Sequence, residues 1–248
     1  MSALPAAVLF DLDDTLFAHR AAVDRGIRAH MHAVGIAPSD TAAELAAVAL
    51  WRDLEERHYH RYLLGEVDYE AQRRDRARDF AAQHGIELGD ADAAAWFRAY
   101  VEHYRAAWAL HDDALRCLTR LRELRPDLRI GLITNGDEEF QQRKVRAVDL
   151  TTRLDAVLAS GTLGFAKPDP RIFRHACDVL GVPVGDAAYV GDRLRTDAIG
   201  AASAGLTGVW LNRRGLTPPP AEADEARALG VVEISTLDEL VEALQARG

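Results

Sequence analysis

The sequence predicts an α/β protein: a doubly wound parallel sheet with an α-helical bundle inserted after its first strand. Three observations carry that expectation. A short apolar run, Val8–Phe10, opens the chain and delivers two acids, Asp11 and Asp13. From about His19 to Leu110 no strand-like alternation occurs; the spacing is helical and the composition rich in Ala, Arg, Glu and Leu. From 112 to 246 strand-like and helix-like segments alternate, the pattern of βαβ units.

The elements follow in order. The strand at 7–11 breaks at the polar turn Asp13-Asp14-Thr15. A first helix runs to about Val34 and stops at Gly35. Ser39 or Asp40 caps a second, which holds Leu45, Val48, Trp51 and Leu54. A third spans about Asp68 to Gln83, and Gly89-Asp90 starts a fourth carrying Trp96, Phe97, Tyr100, Tyr104 and Trp108. A helix from Asp112 to Leu124 leads to a strand, Leu128–Ile133, ending in Thr134-Asn135-Gly136. Helix 137–148, strand Ala156–Ala159 and the loop Gly164–Pro170 come next, with Pro170 suited to the first turn of helix 170–180. Strand Ala187–Val190 ends in Gly191-Asp192. Helix 197–204, strand Gly208–Leu211, a loop at Pro218-Pro219-Pro220, an edge strand at Val231–Ile234 and a last helix capped by Thr236 complete the chain. The domain expectation is therefore a core of 1–17 and 111–248 and a helical insertion, 18–110, read as a lid.

Bulk properties narrow the function classes. The chain has 248 residues, is 48% hydrophobic and 28% charged, and carries a net charge of -9. That balance describes a globular protein and offers no footprint for nucleic acid. Cys117 and Cys177 lie far apart in helical patterns and read as buried thiols, not a disulfide framework. The N-terminus shows neither a signal-peptide pattern nor a membrane span, so a cytoplasmic protein without membrane partners is expected. Nearly every basic residue is arginine; the two lysines are Lys144 and Lys167. Lysine supplies a compact point charge that arginine does not.

Four strand ends carry polar groups: Asp11 with Asp13, Thr134-Asn135-Gly136, Lys167 in its loop, and Asp192 with Asp197. A parallel sheet brings these to one edge, where open α/β sheets bind ligands. In an extended chain Asp11 and Asp13 share a face and point into one volume. Two charges about 4 Å apart repel by roughly 4 kcal/mol at an effective dielectric near 20, so a metal, a cation or a shared proton is required. Each group also has a plain reading: Asp13 and Asp14 as turn residues, Thr134-Asn135 and Asp197 as helix caps, Lys167 exposed.

The set Asp11-Leu12-Asp13-Asp14-Thr15, Ile133-Thr134-Asn135-Gly136, Lys167-Pro168-Asp169 and Gly191–Asp197 resembles the haloacid dehalogenase-like (HAD) hydrolase superfamily. Within it the match is to phosphatases with a helical cap between the first and second motifs. The resemblance implies a Rossmann-like core and a hydrolase acting on a small phosphorylated metabolite. It makes Asp11 the nucleophile that becomes an aspartyl phosphate and Asp13 the carrier of the leaving-group proton. It places Mg2+ on Asp11, the backbone carbonyl of Asp13, and Asp192, with Asp197 acting through a metal-bound water. Thr134 and Asn135 bind phosphoryl oxygens, and Lys167 neutralises charge. Dehalogenases of the superfamily lack the second acid, so Asp13 argues for phosphate-ester hydrolysis. A phosphosugar mutase, a dehalogenase and an idle binding module are the alternatives.

The resemblance also makes the cap the source of the leaving-group pocket. His19, Arg20, Arg57, His60 and Arg61 are candidates there, with His58 and Tyr62 continuing the Trp51-Leu54 face of the bundle. The Thr-Asn-Gly motif and Gln141-x-x-Lys144 resemble the nucleotidase-like and acylneuraminate-phosphatase-like branch, which leans towards nucleoside monophosphates or sugar phosphates. Lys144 itself is expected on a solvated helix face. The assembly expected is a monomer or homodimer.

Overall fold

The computed structural model describes residues 4–246, the side chain of Leu63 excepted. The chain divides into two compact units, one of the residues up to Ala18 with those from Ala109 onward, the other His19–Trp108.

The helical unit contains α1 (His19–Ala33), α2 (Thr41–Leu63), α3 (Tyr69–Gln83) and α4 (Asp90–Ala106). Asp40 and Asp68 cap α2 and α3, accepting from the Ala43 and Ala71 amides at 2.8 and 2.6 Å. Each satisfies one of the donors a helix start leaves orphaned. The α1 helix ends before Gly35, whose φ of 76° only glycine adopts without cost. Trp51 is the hub of the unit, fully buried, with the rings of Tyr100, Phe80 and Trp96 at 4.6, 5.2 and 5.3 Å. The Arg76 guanidinium lies 3.8 Å over that indole and pairs with Glu55 at 3.0 Å, which offsets the burial of its charge. Leu45 of α2 is exposed.

The other unit holds β1 (Ala7–Phe10), β2 (Arg129–Thr134), β3 (Ala156–Ala159), β4 (Ala187–Gly191), β5 (Thr207–Leu211) and β6 (Val232–Ile234). All pairings are parallel and the spatial order is 3-2-1-4-5-6. This is the doubly wound, Rossmann-like order. Its helices are α5 (Ala114–Leu124), α6 (Glu138–Ala147), α7 (Pro170–Leu180), α8 (Gly200–Ala204), α9 (Pro220–Ala228) and α10 (Leu240–Gln245). On one face Leu9, Ile133 and Tyr189 pack against Ile172, Phe173 and Cys177 of α7 and against Ala201 and Ala204. Both cysteines are free and buried. The sheet order reverses between β1 and β4, and the C-terminal ends of the strands flanking such a switch point open into a crevice.

Several boundaries differ from the sequence reading. The α5 helix starts at Ala114, not Asp112, because the Asp113 carboxylate makes no cap and instead accepts from Arg213 at 2.7 and 2.8 Å. Pro220, expected in a loop, begins α9; proline suits a first helical position, where its missing N–H would be orphaned anyway. A turn of π-helix, Leu194–Ile199, precedes α8 where helix 197–204 was expected. Thr236 makes no side-chain cap, and a 3-10 turn, Leu237–Glu239, leads into α10.

Candidate active site

The Lys167 ammonium organises the C-terminal edge of the sheet. Its Nζ donates to Asp11 Oδ1 at 2.6 Å, to the Tyr189 hydroxyl at 2.7 Å and to Asp197 Oδ1 at 2.8 Å. An ammonium has three protons and here each has an acceptor. The side chain is 3% exposed. Burial works against its charge, but Asp11 and Asp197 outweigh burial and raise its pKa above the ordinary lysine value.

Each partner is held by its own element. Asp11 follows β1, and its other oxygen accepts from the Thr15 hydroxyl at 3.4 Å. Asp197 sits in the π-turn, where its Oδ2 accepts from the Arg193 amide at 2.9 Å. Gly191 ends β4 because a Cβ there would lie 2.4 Å from Asp197 Cγ. Lys167 is oriented through its backbone: its N–H donates to Asn135 Oδ1, and its carbonyl accepts from Asn135 Nδ2, both at 2.9 Å. Thr134 ends β2 and is buried.

Asp11, Asp192 and Asp197 present carboxylate oxygens within 4.8 Å of one another. Burial pushes the Asp11 carboxyl up to about 7, against the pull of Lys167 and with the push of Asp197. Burial, then Asp11 and Asp197, push Asp192 up to about 8. Crowded acids that resist ionisation call for a further cation, and an all-oxygen donor set suits a hard divalent ion such as Mg2+. The residues fit a metal on that ground. Both oxygens of Asp197, and both of Asp11, already accept from protein donors.

The Asp13 carboxylate adds to the upward push on Asp11, and it has a cation of its own. Beyond Phe10 the chain is no longer extended: Leu16 and Phe17 amides both donate to the Leu12 carbonyl, and Asp14 takes a φ of 61°. Aspartate is one of the few residues that adopt this left-handed conformation. In this turn the Asp13 carboxylate meets Lys144 Nζ at 2.7 and 2.9 Å. Lys144 is 2% exposed, which corrects its placement on a solvated face.

A model of haloacid dehalogenase-like hydrolases matches residues 5–205 of this sequence. The chain belongs to that family. This HAD hydrolase is 32% identical over 219 residues to N-acylneuraminate-9-phosphatase of Mus musculus, a match spanning 86% of this chain and 84% of that one. It is 30% identical over 217 residues to glyceraldehyde 3-phosphate phosphatase of Methanopyrus kandleri, spanning 84% of each. Among solved structures, YfnB of Bacillus subtilis, a HAD-hydrolase bound to magnesium, superposes with a TM-score of 0.76. That pair is 21% identical, covering 97% of this chain and 99% of the other, a likeness of fold.

The remaining candidates of the HAD hydrolase lie in its helical unit. His19 Nδ1 bonds the Tyr104 hydroxyl at 2.9 Å, and its Nε2 lies 3.7 Å from Glu55. Arg61 is committed to Asp75 at 3.2 Å and Glu66 at 3.3 Å. Arg20, Arg57 and His60 are exposed, and His58 is buried against Asp79 at 2.9 Å. Two polar residues of the core were missed as site members, Tyr189 and Lys144. For Tyr189 the signal was a phenol inside a buried strand, which must find a hydrogen-bond partner. For Lys144 it was the scarcity of lysine itself.

Proposed function

We propose that this HAD-like phosphatase is a magnesium-dependent phosphomonoesterase that works through an aspartyl phosphate on Asp11. The observation that carries the reading is the carboxylate trio Asp11, Asp192 and Asp197 braced by the buried Lys167. Asp11 attacks phosphorus in line with the leaving oxygen, and Asp13 gives that oxygen its proton. Asp13 then takes a proton from the water that hydrolyses the phosphoenzyme. Thr134 and the Asn135 amide hold phosphoryl oxygens, and Lys167 neutralises charge on Asp11 and the transferring group. Asp11, the Asp13 backbone carbonyl and Asp192 are the proposed metal ligands, with Asp197 a positioning acid. Bound there, Mg2+ supplies charge stabilisation and orientation of the phosphoryl group.

The substrate class proposed is a small phosphorylated metabolite, with sugar phosphates ahead of nucleoside monophosphates. The two named relatives act on phosphorylated sugar-like compounds, which supports that order. The division into a catalytic core, 1–17 and 111–248, and a cap, 18–110, belongs to the same proposal.

The test is hydrolysis of p-nitrophenyl phosphate with magnesium, with EDTA, and by Asp11→Asn. Turnover that persists under EDTA and in the variant overturns the reading. A panel of sugar phosphates, nucleotides and phosphoglycolate with phosphate-release readout then assigns the substrate. Isomer formation without phosphate release would instead indicate a mutase.

A further inference from the structure

We propose that Lys144 is a positioning residue for Asp13, holding the proton carrier in place through a buried ion pair. The inference rests on the phosphatase reading above, and on Asp13 serving the leaving group within it.

The geometry is specific. Lys144 Nζ reaches both oxygens of Asp13, at 2.7 and 2.9 Å. The lysine side chain is 2% exposed and that of Asp13 28%, so the cation lies beneath the acid and the acid faces outward. The rings of Phe17 and Phe140 lie 5.1 and 5.2 Å from Nζ. Gln141 Nε2 adds a donor 3.4 Å from Asp13 Oδ2. A compact ammonium fits such a box; a planar guanidinium requires a fork-shaped space and a different reach.

The position in the chain explains why such a device is needed. Asp11 is steered by β1 and by the Lys167 cluster, whereas Asp13 lies in a tight turn that the strand does not control. Its orientation comes from α6, the helix that starts just after Thr134-Asn135-Gly136. The helix that begins beside the phosphate-binding motif therefore also aims the acid. Misplacing a catalytic group by about 1 Å can cost on the order of 10²-fold in rate.

The chemistry remains balanced with Lys144 in place. The Asp11 carboxylate oxygen forms the new bond to phosphorus as the ester P–O bond breaks. The leaving oxygen keeps that electron pair and takes the proton of Asp13. While protonated, Asp13 accepts from Lys144 through its carbonyl oxygen and presents its hydroxyl to the leaving group. Lys144 neither touches the substrate nor exchanges a proton.

Aryl esters that differ in leaving-group acidity provide the test. The kcat and KM of wild type, Lys144→Met and Lys144→Arg are measured with magnesium on p-nitrophenyl, phenyl and p-methoxyphenyl phosphate. A nitrophenolate leaves with little protonation, while the other two need it. The expected result for Lys144→Met is a loss in kcat/KM, which reports the step in which the leaving group departs, of about 10-fold or less on the nitrophenyl ester and on the order of 10²-fold on the others. In an Asp13→Ala background the Lys144 change should cost nothing further. A uniform loss across the series, no loss at all, or an additive loss in that background overturns the assignment. If Lys144→Met does not fold by circular dichroism, the same ratio is read from Lys144→Arg, which keeps the charge and alters the geometry. A wild type inactive on all three esters overturns the phosphatase reading and this assignment with it. An active wild type with uniform variant losses sinks the Lys144 role alone.

Discussion

Lys167 Nζ lies 2.6 Å from Oδ1 of Asp11, and both side chains are at most 10% exposed. The pair joins a loop before α7 to the end of the central strand, 156 residues away in sequence. Replacing one partner of a buried ion pair leaves the other charge uncompensated, which costs about 3–5 kcal/mol. Lys167→Met strands Asp11 and Asp197 together, so its unfolding free energy from urea titration in EDTA should fall by that order. Magnesium should restore part of the loss by supplying a second cation. Equal stability of Lys167→Met and wild type without metal contradicts the pairing.

Tyr189 completes the lysine's coordination at 2.7 Å and lies 3.2 Å from the Ile133 carbonyl. Tyr189→Phe keeps the ring against Phe173, at a centroid distance of 5.0 Å, and deletes only the hydroxyl. A buried ammonium proton is then left without an acceptor. The expected destabilisation is about 1–3 kcal/mol, read from denaturant unfolding. A change below about 0.5 kcal/mol would mean that the hydroxyl is dispensable to the cluster.

Metal and pH are linked through the same acids. Without metal the folded Asp11 and Asp192 hold protons up to about 7 and about 8, against an ordinary value of 3.8. Groups whose folded pKa is raised stabilise fully below the unfolded value and lose that stability as pH rises through the folded values. In EDTA the thermal midpoint should therefore fall as pH rises towards about 8. Magnesium competes with those protons, so its stabilising shift should grow over the same interval. Asp192→Asn should abolish most of the magnesium shift. A midpoint that climbs with pH in EDTA contradicts the raised values.

The helical unit responds to acid in the opposite sense. His30 is buried, packs edge-on against Trp96 at 4.1 Å, and has no hydrogen-bond partner on either ring nitrogen among the described residues. Burial, with His103 adding, pushes its pKa down to about 4 from 6.5. The unfolded chain then binds a proton that the folded unit refuses, so stability is lost as pH falls from about 6.5 towards 4. His30→Leu should flatten that part of the profile, followed by Trp fluorescence during urea unfolding. An unchanged acid limb would show that another group is responsible.

Much of the architecture was legible because its signals are local. Period-two and period-3.6 patterns depend on neighbours along the chain, and they identified the six strands and the four insertion helices seen among the described residues. Turn and cap chemistry is local too, which is why Asp40, Gly35 and Pro170 stand where they were expected. The α9 helix escaped because three prolines in a row read as a loop, although the last of them opens a helix.

Chain order and residue type alone singled out Asp11, Lys167, Asp192 and Asp197, each beside a turn that ends or follows a strand. What only the tertiary structure decided is who neutralises whom. Strand order places β4 beside β1 and so brings Tyr189 and Asp197 to Lys167. The turn at Asp14 sets Asp13 against Lys144, 131 residues distant. Periodicity carries no information about such pairings, because an ion pair follows from which elements become neighbours in space. The two lysines of this arginine-rich chain thus each stand against one of the two acids with which it opens.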